Sequence, residues 1–190
     1  PLGTFTKDMI SPVTGNIDGV MRILGKNNQV TDVVGSVKGR QIGIRGVVVD
    51  TAKANFTHAD NSTNMTVVGT IGDGAPSGYG YIQNGNIDAT ISGNALPLTA
   101  LSLIIGQDVD GTLNTSFAIQ GTLDNPNVMG TVWGQEVHYK GARFNNIHGD
   151  IKLDNHILTI INGHIGDGDG GYDVNGWYNL NTDVLDLNNL

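Results

Sequence analysis

The chain repeats itself about every ninety-five residues, and that spacing constrains its fold more than any other feature. Residues 15–37 can be laid over residues 111–132, with Gly15 on Gly111 and Gly25 on Gly121, both 96 apart. Gly35 then meets Gly130 and Gly46 meets Gly141 at 95, while Ile71-Gly72-Asp73-Gly74 meets Ile165-Gly166-Asp167-Gly168 at 94. A drift of two residues over the whole unit is what small loop deletions produce. Units of this kind need their neighbours to finish burying an apolar face, so an array makes a long uniform surface rather than a catalytic pocket.

Residue usage says what the repeated unit is made of. Glu136 is the single glutamate among 18 acidic residues, and the rest are Asp. Asp, Asn and Gly favour turns whereas Glu and Lys favour helix interiors, which points to strands and turns. The formal charge of −8 and ten bases scattered from Lys7 to Lys152 argue against a nucleic-acid partner. Cysteine is absent, so disulfides, thiolate metal sites and thiol chemistry are excluded. No apolar run reaches the ~20 residues of a membrane span, and no signal peptide is visible. The opening Pro1-Leu2-Gly3 reads as a cut fragment, with residues 1–10 a leader or the scar of a tag.

Alternation of apolar and polar residues dominates locally, as half-buried strands require. It is clearest at Leu113, Thr115, Phe117, Ile119, Gly121 and Leu123, and again at Tyr172, Val174, Gly176, Tyr178 and Leu180. Ile151 and Leu153 lead through Asp154-Asn155 into Leu158 and Ile160 as a hairpin; Ile17, Met21, Ile23 and Ile87, Ala89, Ile91 alternate likewise. Turns are expected at Gly25-Lys26-Asn27-Asn28, Asp73-Gly74, Asn84-Gly85, Asn125-Pro126-Asn127 and Asp167-Gly168. One segment departs from this. Residues 96–106 fit a short apolar helix, with Pro97 in its first turn, Gly106 as its stop, and Leu98, Leu101 and Ile105 on one face. The expected organisation is an all-β chain, with a first β-repeat over 11–95, the helix over 96–106, and a second β-repeat over 107–190 continuous with the first.

The second copy carries a family likeness. A Leu-Pro-Leu helix is followed by GTLNTSFAIQGTLDNPNVMGTVW and then VHYKGARFNNIHGDIKLDNHILTIINGHIGDGDGGYDVNGWYNL. In order and spacing this resembles the C-terminal β-rich region of TamB proteins, within the AsmA-like group of bridge-like lipid transfer proteins. The likeness covers residues 94–190 well and 11–93 as a more divergent copy, with Lys26-Asn27-Asn28 standing where the second copy has its Pro turn. It implies an elongated, U-shaped (β-taco) sheet with a hydrophobic groove. It also implies a periplasmic setting in a diderm bacterium, an inner-membrane anchor on the full-length protein, and a partner barrel of the Omp85 family (TamA- or BamA-like). The implied work is non-enzymatic: conducting phospholipid acyl chains toward the outer membrane, with an older link to outer-membrane protein assembly.

Burying one CH₂ is worth ~0.8 kcal/mol, so carrying a sixteen-carbon chain through water costs on the order of 10 kcal/mol. A floor free of charge removes most of that cost, and deep polar sites would trap or reject the chain. The candidate lining is Ile17, Met21, Ile23, Ile87, Ile91, Leu113, Phe117 and Ile119. It continues through Leu123, Ile151, Leu153, Leu158, Ile160, Val174, Tyr178 and Leu180. A closed sandwich core would show the same pattern. The competing functions are an assembly factor that holds outer-membrane strands by strand addition, and an adhesin or polysaccharide-active solenoid, which ordinarily repeats on a much shorter coil.

Other motifs carry less. Gly166-Asp167-Gly168-Asp169-Gly170-Gly171 fits G-x-G-x-x-G, but a strand follows it and no helix N-terminus waits for a pyrophosphate. Asp167, Asp169 and Asp173 hint at calcium, but Tyr172 and Tyr178 stand where an EF-hand wants Gly and Glu. His148, His156 and His164 sit eight apart, where adjacent strands could bring two together, but zinc wants a third or fourth partner and surface histidines beside turns are the favoured reading. No catalytic motif, cofactor or metal is expected. Trp177 falls on the face opposite Val174 and Tyr178, and the sequons at Asn55, Asn61, Asn64 and Asn114 read as accidents of an Asn/Thr-rich chain.

Overall fold

The computed structural model describes residues 14–27, 29–44, 47–100, 108–167 and 170–188. They form one all-β sheet of twelve antiparallel strands in chain order, each paired with the next and the ends left unjoined. The strands are β1 (Thr14–Lys26), β2 (Gln29–Ile44), β3 (Val47–Ala59), β4 (Ser62–Thr70), β5 (Ala75–Gln83) and β6 (Asn86–Pro97). They continue with β7 (Val109–Thr122), β8 (Pro126–Tyr139), β9 (Ala142–Asp154), β10 (Ile157–Asp167), β11 (Gly170–Asn179) and β12 (Val184–Asn188).

Turn chemistry explains the meander. Asp60-Asn61, Asn84-Gly85, Lys140-Gly141 and Asn155-His156 are two-residue links whose members all have left-handed φ, from 48° to 81°. Such turns match the twist of their flanking strands, and Asn, Asp and Gly reach them cheaply. The sequence reading found the Asn84-Gly85 and Asn155 turns but passed over Asp60-Asn61 and Lys140-Gly141. It also set the first turn too early: Gly25 and Lys26 still belong to β1.

A line of bulges crosses four of the even-numbered strands. Gln41 in β2, Ala95 in β6, Glu136 in β8 and Asn162 in β10 each take a left-handed φ of 49–52°. There the register slips, as between Gly93 and Leu96 or between Ile161 and His164. A bulged residue loses its place in the ladder, so its N–H needs another acceptor. Asn114 Oδ1 takes the Ala95 N–H at 2.9 Å, and Asn175 Oδ1 takes that of Asn162 at 2.8 Å. Opposite two of the bulges, Gly15 and Gly111 sit at φ 124° and 121°. A Cβ there would stand 2.6 Å from the Gln41 carbonyl and 2.7 Å from the Glu136 carbonyl, so only glycine serves.

The bulge at Ala95 also corrects the expected helix at its start. Leu96 and Pro97 close β6, pairing with Leu113 and Thr112. Leu98 lies in a turn, Thr99 and Ala100 have helical backbone, and residues 101–107 lie outside those described, as do residues 1–10. The sheet runs across the expected boundary between the two β regions, because β6 and β7 pair from Asn86↔Thr122 to Pro97↔Thr112.

Candidate functional site

Facing residues in adjacent antiparallel strands share a side of the sheet, so the register assigns every side chain to a face. One row starts at Gly19 and Val37, passes Ala54, Val67 and Gly78, and reaches Ile91 and Phe117. It continues through Gly130, Ile151, Ile160 and Gly176 to Leu187, touching all twelve strands. The row beside it holds Met21, Gly35, Phe56, Met65, Gly80 and Ala89, then Ile119, Val128, Leu153, Leu158, Tyr178 and Leu185. Neither row contains an ionisable group other than the Tyr178 phenol. Charges collect on the reverse face, where Asp18 stands opposite Lys38, Lys38 opposite Lys53, and Met129 opposite Lys152.

Fourteen of the sixteen residues expected to line a groove fall on this apolar face. The two exceptions are Leu123, in the turn after β7, and Leu180, in the turn after β11, because each strand ends at the residue just before. Missed by the sequence reading were the contributions of β2 to β5, among them Val37, Phe56, Met65 and Val67. There the inner face mixes Gly, Ala and Thr with apolar residues, which dilutes the alternation. The Asp60-Asn61 turn was the signal that would have set that register.

Nothing among the described residues covers the face as a second layer. Met21 remains 59% exposed, Met65 46% and Leu185 59%. Among the described residues the buried hydrophobic cluster is small: Leu98, Val109 and Val137, with Leu113, Tyr139, Phe144 and Ile147 against it. Leu98 reaches it from the segment after β6, held by its N–H donating to the Gly111 carbonyl at 2.9 Å. The face is concave between β2 and β7. Ile42, Val49 and Ala52 on one side and Ile87, Ile91 and Ile119 on the other line a single hollow of about 580 Å³. That lies within the ~300–1,000 Å³ of ordinary small-molecule sites. Glycines under aromatic rings keep the floor shallow: the Phe56 ring lies over Gly35 and the Phe117 ring over Gly130. Toward the hairpin ends, His58 and Thr63 meet through a 2.8 Å hydrogen bond, a polar pair that satisfies itself.

The reverse face holds the remaining side chains with chemistry to offer. His148 and His164 stack with ring centroids 5.2 Å apart, and His164 Nδ1 lies 2.8 Å from Asp173 Oδ1. His156 is in the β9–β10 turn. No group of three or more metal-ligating side chains occurs among the described residues. Asp169 lies outside those residues, and Asp173 is engaged by His164. Trp177 sits on this reverse face, opposite Asp186 and Thr159, as its sequence position indicated. Lys38 and Arg40 of β2 and Lys53 of β3 gather here around a surface dent. No family model, curated protein or solved structure matches this chain.

Proposed function

We propose that this chain is a lipid-conducting segment of a TamB-like envelope protein, a trough that takes phospholipid acyl chains along its apolar face. The observation that carries the reading is the pair of rows, free of charged side chains, that cross all twelve strands with no second layer over them among the described residues. Exposed apolar surface on this scale marks an interaction site, and its continuity suits a ligand that slides rather than docks. The concavity between β2 and β7 supports a groove curved toward that face.

Two tandem units fit the strand boundaries. β3 and β9, β4 and β10, and β5 and β11 begin 95 residues apart (47 and 142, 62 and 157, 75 and 170). The bulges at Gln41 and Glu136 are also 95 apart, and the strained glycines Gly15 and Gly111 are 96 apart. A periplasmic location, an inner-membrane anchor on the whole protein and an Omp85-family barrel at the far end complete the proposal.

Native mass spectrometry of protein purified without detergent tests it: bound phospholipid is expected, and its consistent absence sinks the conduit. Replacing Phe117 or Leu158 by Asp is expected to abolish that lipid while circular dichroism stays β-rich, since neither lies in the buried cluster. Global unfolding would point instead to a closed interior. A second reading, as a holder of outer-membrane strands, draws on the exposed residues of β1; it gains if peptides of alternating apolar pattern bind while lipid does not.

A further inference from the structure

The reverse face carries a second hollow, built with different chemistry from the first. It holds about 610 Å³ and spans β3 to β6, all interior strands of the sheet. The register explains which side chains meet there. Thr57 stands opposite Asn64, Asn64 opposite Tyr81, and Tyr81 opposite Asp88. In the neighbouring row Asn55 faces Thr66, and Thr66 faces Tyr79. All of these residues line the hollow.

Tyr79 and Tyr81 set its character. They lie two residues apart on β5, ~7 Å along the strand, and remain 65% and 42% exposed. Around them stand two amides, two threonine hydroxyls and one carboxylate. Asn55 Nδ2 donates to Thr66 Oγ1 at 3.4 Å. The two phenol hydroxyls, the Thr57 hydroxyl, the Asn64 amide and the Asp88 carboxylate make no side-chain hydrogen bond or ion pair among the described residues. Apolar ring faces thus sit beside unspent donors and acceptors.

The class of ligand follows from that mixture. Interior strands spend their main-chain N–H and C=O groups on the ladders, so recognition here comes from side chains, and a peptide finds no strand edge to extend. No base among the described residues lines the hollow and Asp88 is its one acid, which disfavours an anionic ligand. An acyl chain would cover the amides and hydroxyls without giving them partners, at a cost for each. A sugar answers both halves of the site. Its C–H faces cover aromatic rings, and its rim hydroxyls donate to and accept from the amides, hydroxyls and carboxylate. We infer that this hollow binds a neutral, extended glycan chain, with Tyr79 and Tyr81 as platforms for successive sugars. The role is binding and not cleavage, since glycosidases ordinarily work with a pair of carboxylates and Asp88 stands alone here.

Titration calorimetry of the whole chain tests this with defined probes: chitohexaose and cellohexaose, both neutral, and hexagalacturonate, which is anionic. Saturable binding of at least one neutral probe is expected, with a Kd of about 1 mM or tighter, and no binding of hexagalacturonate. Tyr79→Ala and Tyr81→Ala are each expected to weaken that binding about tenfold, and Tyr81→Phe about threefold. Trp133→Ala removes a ring 41% exposed on the same face but outside the hollow, and should change nothing. All three residues are exposed, so circular dichroism should stay β-rich in every variant. Failure of both neutral probes to bind at millimolar concentration would overturn the inference. So would equal losses in Trp133→Ala and Tyr81→Ala, hexagalacturonate binding as tightly as the neutral probes, or a proline-rich peptide binding where the glycans do not. The site stands apart from the conduit: Phe117→Asp is expected to lose lipid and keep glycan, and Tyr79→Ala the reverse, so either reading can fail without the other.

Discussion

The corner where β1, β2 and β3 meet and the corner where β7, β8 and β9 meet have one backbone and two fates. Each has a glycine at φ above 120° facing a left-handed bulge, Gly15 with Gln41 and Gly111 with Glu136. Each bulge throws the next side chain, Ile42 or Val137, over a glycine of its own strand. Yet Val137 is only 4% exposed whereas Ile42 is half-buried. The difference is the cover: Leu98, entering from the segment after β6, closes the second corner against Val109 and Val137. A single sheet curves its apolar side chains toward one another but does not bury them. Burial needs something laid on top.

Breaking the cover should give the largest effect. Leu98→Ala is expected to cost about 2–4 kcal/mol in urea unfolding, because it deletes a buried side chain and leaves a void. Ile42→Ala should cost about 1 kcal/mol, since much of that side chain is already wet. Equal losses at the two sites would remove the asymmetry. Next come the glycines: Gly111→Ala, in an interior strand, is expected to lose about 2 kcal/mol through backbone strain. Gly15→Ala, in an edge strand that can peel locally, should lose less than half as much; hydrogen exchange along β1 and β7 checks it.

The smallest effect is at the far end of the second half. The Tyr178 hydroxyl donates to Asp183 Oδ1 at 2.6 Å, and this bond raises the phenol above its ordinary value of 10.0. The group is favoured in its neutral form when folded. Its contribution is therefore intact below pH 10 and is lost as pH climbs through the raised value. A tyrosinate absorbance titration should show one late-ionising phenol that disappears in Tyr178→Phe. At the matching position the first half has Ile82, which does not titrate, so β5–β6 should show no such loosening.

Much of this fold was legible because the strands of the second half alternate cleanly. Leu113, Phe117 and Ile119 declare their face, and Asn155 marks its turn. The first half was harder to read: in β3 and β4 the inner face mixes Ala52, Ala54, Phe56 and His58 with Thr63, Met65 and Val67, a run without a strong period. The bulges were invisible, because Gln41, Ala95 and Glu136 are ordinary residues whose left-handed φ is imposed by the neighbouring strand's register rather than by their own preference. Residues 95–97 illustrate the cost: Pro near the start of an apolar run mimics a helix signal, and the pairing with β7 overrides it.

That so few greasy side chains are hidden among the described residues has a calorimetric consequence. The heat-capacity increment of unfolding tracks newly wetted apolar area, ordinarily about 12–15 cal/mol/K per residue. Here it should fall well below that, flattening the dependence of stability on temperature and broadening the melt. Phospholipid bound as proposed would cover part of that area, so a scan of protein mixed with phospholipid should sharpen relative to protein alone.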